Sequence, residues 1–280
     1  MVLPVHDVNP TRRTPWVTRL LLAANVVAFL LSPVALAGLA GGSSADALCS
    51  QVAFFDEWAA KPSEILTNDP EDLVATGEAV RDPETGQVGC VAEPPEYDKN
   101  PVLSVLTAMF LHGGWLHLAG NMLFLYVFGN NVEDRLGRLK FLAFYLFCGY
   151  AATYGYAVPD ADSSQPLVGA SGAIAGVLGA YLVLYPRARV WSLLTFFFFL
   201  PVRLPAWLVL GSWFVLQYLY AQGAGLTEST GVAYLAHVIG FVVGAALVWR
   251  LRGTASARRL PDPRWGPYAP GHARYGRWGP

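Results

Sequence analysis

The distribution of apolar residues constrains this chain more than any other feature. Six runs, at about 16–37, 114–130, 139–158, 171–185, 204–221 and 232–251, carry little charge and are separated by polar stretches. Runs of this length match what an α-helix needs to cross a bilayer, about 20 residues with some latitude. Hydrophobic residues make up 54% of the 280 and charged residues 14%, with a mean hydropathy of +0.38. The expectation is an all-α polytopic membrane protein. A seventh apolar stretch, about Val190 to Leu200, is too short to span and is expected to be interfacial or re-entrant.

The organisation follows. Residues 1–15 are polar and expected to be a loose tail; 16–251 form the membrane domain; 252–280, which repeat Arg-Trp-Gly-Pro, are expected to be disordered. Within the membrane domain, 38–113 form a large loop, with short helical pieces expected near Gln51–Ala60 and Pro70–Val80. The first apolar run has a basic flank but extends toward Ala40, so it reads as a spanning helix rather than a cleavable signal peptide; an uncleaved signal-anchor is the alternative.

Charge orients the bundle. Arg12, Arg13, Arg19, Arg135, Arg138, Lys140, Arg187, Arg189, Arg203 and Arg250 all fall on one side of a six-span topology. The positive-inside rule makes that side cytoplasmic, with both termini there. Residues 41–100 hold thirteen of the twenty acids, so this loop faces outward. It also holds Cys49 and Cys90, which an oxidising compartment would allow to pair; two free thiols are the alternative. Cys148, in an apolar run, is expected to be a core residue. The net charge of −1 gives no reason to expect a nucleic-acid partner.

Strongly polar side chains inside spans are costly and mark function. Here they are His117 and Asn121 in segment 2, Gln217 in segment 5 and His237 in segment 6; Asn25 in segment 1 reads as a packing hydrogen bond to a neighbouring helix. Gly169-Ala170-Ser171-Gly172 opens segment 4. A serine on a tight turn at a helix N-terminus can be a nucleophile beside an oxyanion hole, although small residues before an apolar helix also serve packing. Counting rise along each segment puts Ser171 and His237 about 8 Å, and Asn121 about 10 Å, below the outer surface. Ala236, Gly240 and Gly244 on segment 6, facing Gly172, Gly176 and Gly179 on segment 4, would let the two helices approach closely and bring His237 to Ser171. Other chemistries fit less well. The step from His112 to His117 lacks the glutamate of a zinc protease motif, no span carries an aspartate for an aspartyl dyad, and no phosphate-binding loop or dinucleotide fingerprint is present. No cofactor or metal is implied.

The motifs HGGWLHLAGN at 112–121, EDRLG at 133–137, GASG at 169–172 and AHVIGF at 236–241, in this order, resemble the rhomboid family of intramembrane serine proteases over about residues 100–250. The resemblance implies a six-transmembrane-helix bundle with a short central helix 4 starting at the nucleophile, as in bacterial plasma-membrane members. It implies a dyad of Ser171 and His237, with an oxyanion hole from His117, Asn121 and the backbone at Ser171 and Gly172. Gly169 and Gly240 would shape the site, Glu133 and Arg135 would brace the inner loop, and His112 would be structural at the outer mouth. Substrates would be the transmembrane helices of other membrane proteins, entering from the bilayer near segments 2 and 5, with loop 222–231 as a gate. One position departs from the family pattern: Ala175 stands where many members carry an aromatic against the histidine. Two other readings compete. A rhomboid-like protein could bind membrane clients without cutting them, and a transporter could use a polar midplane site, although the polar residues lie off the midplane and no internal repeat is visible.

Overall fold

The computed structural model describes residues 2–39, 44–194, 200–223 and 232–251. The expected tail 252–280 and most of the expected gate 222–231 lie outside the described residues.

The apolar runs become helices close to where hydropathy places them. They are α1 (Trp16–Leu30), a nearly continuous helical stretch of α6 (Trp115–Phe124), a π-helical turn (Leu125–Gly129) and α7 (Asn130–Leu136), then α8 (Arg138–Ala157), α9 (Ser171–Leu184), α10 (Ala206–Ala221) and α11 (Tyr234–Leu251). Pro33, which cannot continue a helix, stands at the start of a separate short helix, α2 (Pro33–Leu39), so the first run is broken. Among the described residues one helix, Arg138–Asp160, is long and apolar enough by length and composition to cross a membrane, and four more apolar helices are shorter. α9 lies at the centre. Its residues Ala173 to Tyr181 are all buried, and they share the main core with Phe128, Phe141, Tyr145, Leu210 and Phe241.

The expectation of a purely helical chain needs correction. Val2–Asp7 is not a loose tail but strand β1; the stretch expected to be interfacial or re-entrant, Val190 to Leu200, supplies most of β4 (Arg189–Leu194), and β5 (Leu200–Pro205) follows from its last residue into the start of the next apolar run. They form an antiparallel sheet in the order β1-β4-β5, with Val2 opposite Leu194 and Arg189 opposite Pro205. Alternation in β4, with Val190 and Ser192 buried and their neighbours less so, is the period-2 pattern of a half-covered strand. Asp7 anchors β1: its carboxylate accepts hydrogen bonds from Tyr181 of α9 and Asn131 of α7, each 2.7 Å. Burial pushes this carboxyl up to about 6, against the opposing pull of the Tyr181 hydrogen bond and of His6. This sheet defines one end of the bundle, and Ser171 marks the other.

Glu133 does more than brace its own loop. Buried at 2% exposure, its carboxylate accepts from the backbone N–H groups of Val17 and Thr18 and from the Thr18 hydroxyl. It thus satisfies the free N–H groups at the start of α1, where a negative charge is favoured. Asp134 accepts from the N–H groups of Arg12 and Arg13. Asn25 donates to the Leu21 carbonyl within its own helix and also lies against the Tyr145 side chain of α8, a neighbouring helix.

The large loop folds into a small module at the serine end. α3 (Ala45–Trp58) packs on a hairpin of β2 (Val74–Arg81) and β3 (Val88–Glu93). The strand β2 replaces the helix expected at 70–80. Cys49 and Cys90 form a disulfide between α3 and β3, and Asp56 and Asp46 accept hydrogen bonds from the N–H groups of Ala75 and Ala79. Lys61 is buried between Asp56 and Glu71. Burial disfavours its charge, but the two carboxylates outweigh burial and raise its pKa. Lys99 pairs with buried Glu64 at 2.6 Å. α4 (Pro62–Thr67) and α5 (Pro101–Ala108) join the module to the bundle.

Candidate active site

The close pairing of α9 and α11 is built from glycines. A β-carbon on Gly240 would run into the Gly172 carbonyl, and one on Gly244 into the backbone of Gly176. Only bare backbone fits there, which is the small-residue logic of membrane helix contacts. This seam carries His237, three residues before Gly240, to the head of α9.

There, Ser171 Oγ and His237 Nε2 are hydrogen-bonded at 2.8 Å. Ser171 is the first residue of α9, and no side chain caps that helix. Ile174 N–H bonds the Ala170 carbonyl, and the amides before it stand at the positive end of the helix dipole, where helix geometry gives them no intrahelical acceptor. Gly169 precedes it with φ +122°, a conformation L side chains rarely adopt. A β-carbon there would also press on the His117 ring. His117 Nδ1 accepts a hydrogen bond from the Gly113 N–H at 3.3 Å, which leaves the proton on Nε2, the ring atom facing Gly169. A neutral histidine is thus fixed as a donor beside the serine. Asn121 lies one turn on, its amide donating to the His117 carbonyl at 2.9 Å and retaining a second N–H.

All four residues line one cavity of about 560 Å³ with Gly120, Phe124, Val168 and Trp213. The Phe124 and Trp213 rings meet between α6 and α10, centroids 6.2 Å apart. His112 is buried, its ring edge-on to His117 at 5.1 Å, and does not line the cavity. Gly172 sits in the helical seam, its own β-carbon position filled by Ala152. Arg135 stands with Glu133 on α7, away from the cavity. The loop before the serine is tied to the outer module: Leu167 N–H donates to the Ala60 carbonyl, Ser63 N–H to Ser163, and Gly169 N–H to Ala108.

Two neighbours of His237 were not placed by the sequence. Gln217 Oε1 lies 2.6 Å from His237 Nδ1, and the Trp213 ring lies 6.0 Å from the imidazole, tilted by 31°. Gln217 was visible as a polar residue in an apolar run, but its direction was not. Ala175 is buried in the core, so no aromatic from α9 reaches the histidine.

The rhomboid domain family model matches residues 99–254, more than half of the chain. The chain belongs to the rhomboid family. This rhomboid is 32% identical over 167 residues to Rhomboid-like protein 11, chloroplastic, of Arabidopsis thaliana, covering 56% of this chain and 55% of the relative. It is 36% identical over 78 residues to RHOMBOID-like protein 5 of the same plant, covering 28% and 25%. It is 28% identical over 162 residues to Rhomboid protein 1, mitochondrial, of Saccharomyces cerevisiae, covering 56% and 44%. The rhomboid chain therefore spans about half or less of the length of these curated relatives. The family is integral to membranes, which accounts for the apolar faces the helices leave uncovered, such as Leu20, Leu116, Leu139 and Trp249.

Proposed function

We propose that this rhomboid is an intramembrane serine endopeptidase that cuts transmembrane segments of other membrane proteins. The observation that carries the reading is the 2.8 Å contact between Ser171 Oγ and His237 Nε2 on the wall of a cavity that also holds His117 and Asn121. In this reading His237 takes the hydroxyl proton as Ser171 attacks a peptide carbonyl. The developing oxyanion is met by the Ser171 and Gly172 backbone N–H groups, by His117 Nε2–H and by the second Asn121 N–H. Losing one such donor typically costs about 2.7–4 kcal/mol of transition-state stabilisation. His237 then returns the proton to the leaving amine, and water hydrolyses the acyl-enzyme.

The same reading counts six spans, with the Glu133–Arg138 turn, the β1-β4-β5 sheet and both termini in the cytoplasm. The serine end and the disulfide-bearing module then face outward. The substrate helix enters from the bilayer between α6 and α10, past Phe124 and Trp213.

The test is reconstitution in liposomes with a model transmembrane substrate. Wild type should cleave it; Ser171→Ala and His237→Ala should not. Cleavage that persists in Ser171→Ala removes Ser171 as nucleophile. Wild-type protein that binds the substrate without cutting it supports a non-proteolytic client binder instead.

A further inference from the structure

We infer that Gln217 is the positioning residue of the histidine, a third member that turns the Ser171–His237 pair into a Ser–His–Gln relay. The inference rests on the protease reading above and deepens it. An imidazole attached to one flexible bond pair has two neutral tautomers and many orientations. Only the tautomer with a bare Nε2 can take a proton from Ser171. In this rhomboid the Nδ1 atom of His237 faces Gln217 Oε1 at 2.6 Å. A carbonyl oxygen carries no proton, so Nδ1 must donate, and Nε2 is left as the acceptor toward Ser171 at 2.8 Å. Turning the amide over would put its NH2 against Nδ1 and select the tautomer that cannot act as a base.

The position of Gln217 explains why it serves this role. It is buried on α10, one turn beyond Trp213 on the same face. Trp213 lies along one side of the imidazole and Tyr234 stands edge-on to it at 6.3 Å. The ring is thus fixed from α10 and α11. This supplies from a different helix what Ala175 on α9 cannot. An uncompensated buried glutamine would be costly in an apolar bundle; pairing with Nδ1 removes that cost and gives the side chain its direction.

A neutral amide also differs from the carboxylate of a Ser–His–Asp triad. It orients the ring but adds no negative charge to stabilise the imidazolium. Among the described residues the titratable groups near the ring are His117 on α6 and Tyr234 on α11. A charge placed at 217 should therefore act directly on the histidine.

The test compares Gln217→Met and Gln217→Glu with wild type and Ser171→Ala in the liposome assay. Gln217→Met keeps the length and removes the acceptor. It should lower kcat on the order of 10- to 100-fold, as for losing one hydrogen bond to a buried partner, with KM unchanged. In ¹⁵N spectra of labelled histidine its Nδ1–H tautomer signal should be lost. Gln217→Glu should restore kcat at high pH and move the acidic limb of the kcat/KM profile to higher pH. Wild-type kcat and pH profile in both variants, with Ser171→Ala inactive, would overturn the role of Gln217 and leave the protease reading standing. Cleavage by Ser171→Ala would remove Ser171 as nucleophile, and with it the reading on which this inference rests. Should Gln217→Met fail to fold, the pH profile of Gln217→Glu decides alone: an unmoved acidic limb refutes the relay.

Discussion

Gly244→Ala tests whether, in the proposed protease, the α9–α11 seam sets the distance between Ser171 and His237. The added β-carbon would lie 2.6 Å from the Gly176 Cα, whereas carbon atoms settle at about 3.5–4.0 Å. The two helices must therefore part by about 1 Å. Gly244 is about two turns, roughly 10 Å, along α11 from His237, and a rigid helix carries that displacement to the imidazole. The Ser171–His237 contact of 2.8 Å would open to about 3.8 Å, beyond hydrogen-bonding range. A misplacement of this size costs on the order of 100-fold in rate, and overpacking costs about 1–3 kcal/mol of stability. The assay is kcat for the liposome substrate, with fluorophosphonate labelling of Ser171 and thermal unfolding in parallel. Gly211→Ala is the control, since among the described residues nothing lies within 4 Å of its β-carbon position; it should be silent in all three. Gly244→Ala cleaving as fast as wild type would refute the claim that helix spacing holds the dyad.

Two further outcomes are expected. Asp7, with its carboxyl raised to about 6 from 3.8, favours the docked β1 when protonated. That contribution, about 3 kcal/mol, is full below pH 4 and lost as pH rises through 6. The protection factors of the amides in residues 2–7, which remove the intrinsic pH dependence of exchange, should therefore fall between pH 4 and 7 in wild type and stay constant in Asp7→Asn; constant wild-type protection contradicts it. Reducing Cys49–Cys90, which are 41 residues apart, should cost about 4 kcal/mol by the loop-entropy relation. It should lower the unfolding temperature of the outer module, and equal melting of the reduced and oxidised forms would exclude the bridge as a stabiliser.

The seam and the Ser171–His237 contact were legible because spacing along an apolar run bears directly on helix packing and depth. Glycines and alanine four apart on one apolar run ask for close backbone contact, and Gly172, Gly176 and Gly179 answered them on another. Counting residues from a span's end gave depth, which brought Ser171, His117, Asn121 and His237 to one level. Rotation about a helix axis is not counted in this way, so Gln217 could be seen as polar but not aimed. The sheet was hidden for another reason. Val2–Asp7 and Arg189–Leu194 are each short, and only their distant pairing makes them strands. The apolar run that includes β4 also imitates an interfacial segment. In β2, Ala75, Glu78 and Ala79 suit a helix, but Cys90 opposite Ala79 and the bond to Asp56 decide for a strand.

The pairing of β1 with β4 also imposes an order of assembly. Val2 meets Leu194, a partner made roughly 190 residues later. At about 5–20 residues per second, the ribosome needs roughly 10–40 s to cover that distance. During this interval β1 has no partner strand, and neither Tyr181 nor the α9 core that would receive Asp7 exists for most of it. β1 must therefore dock after β4 has been made, and closure of the sheet end reports that α9 is already in place.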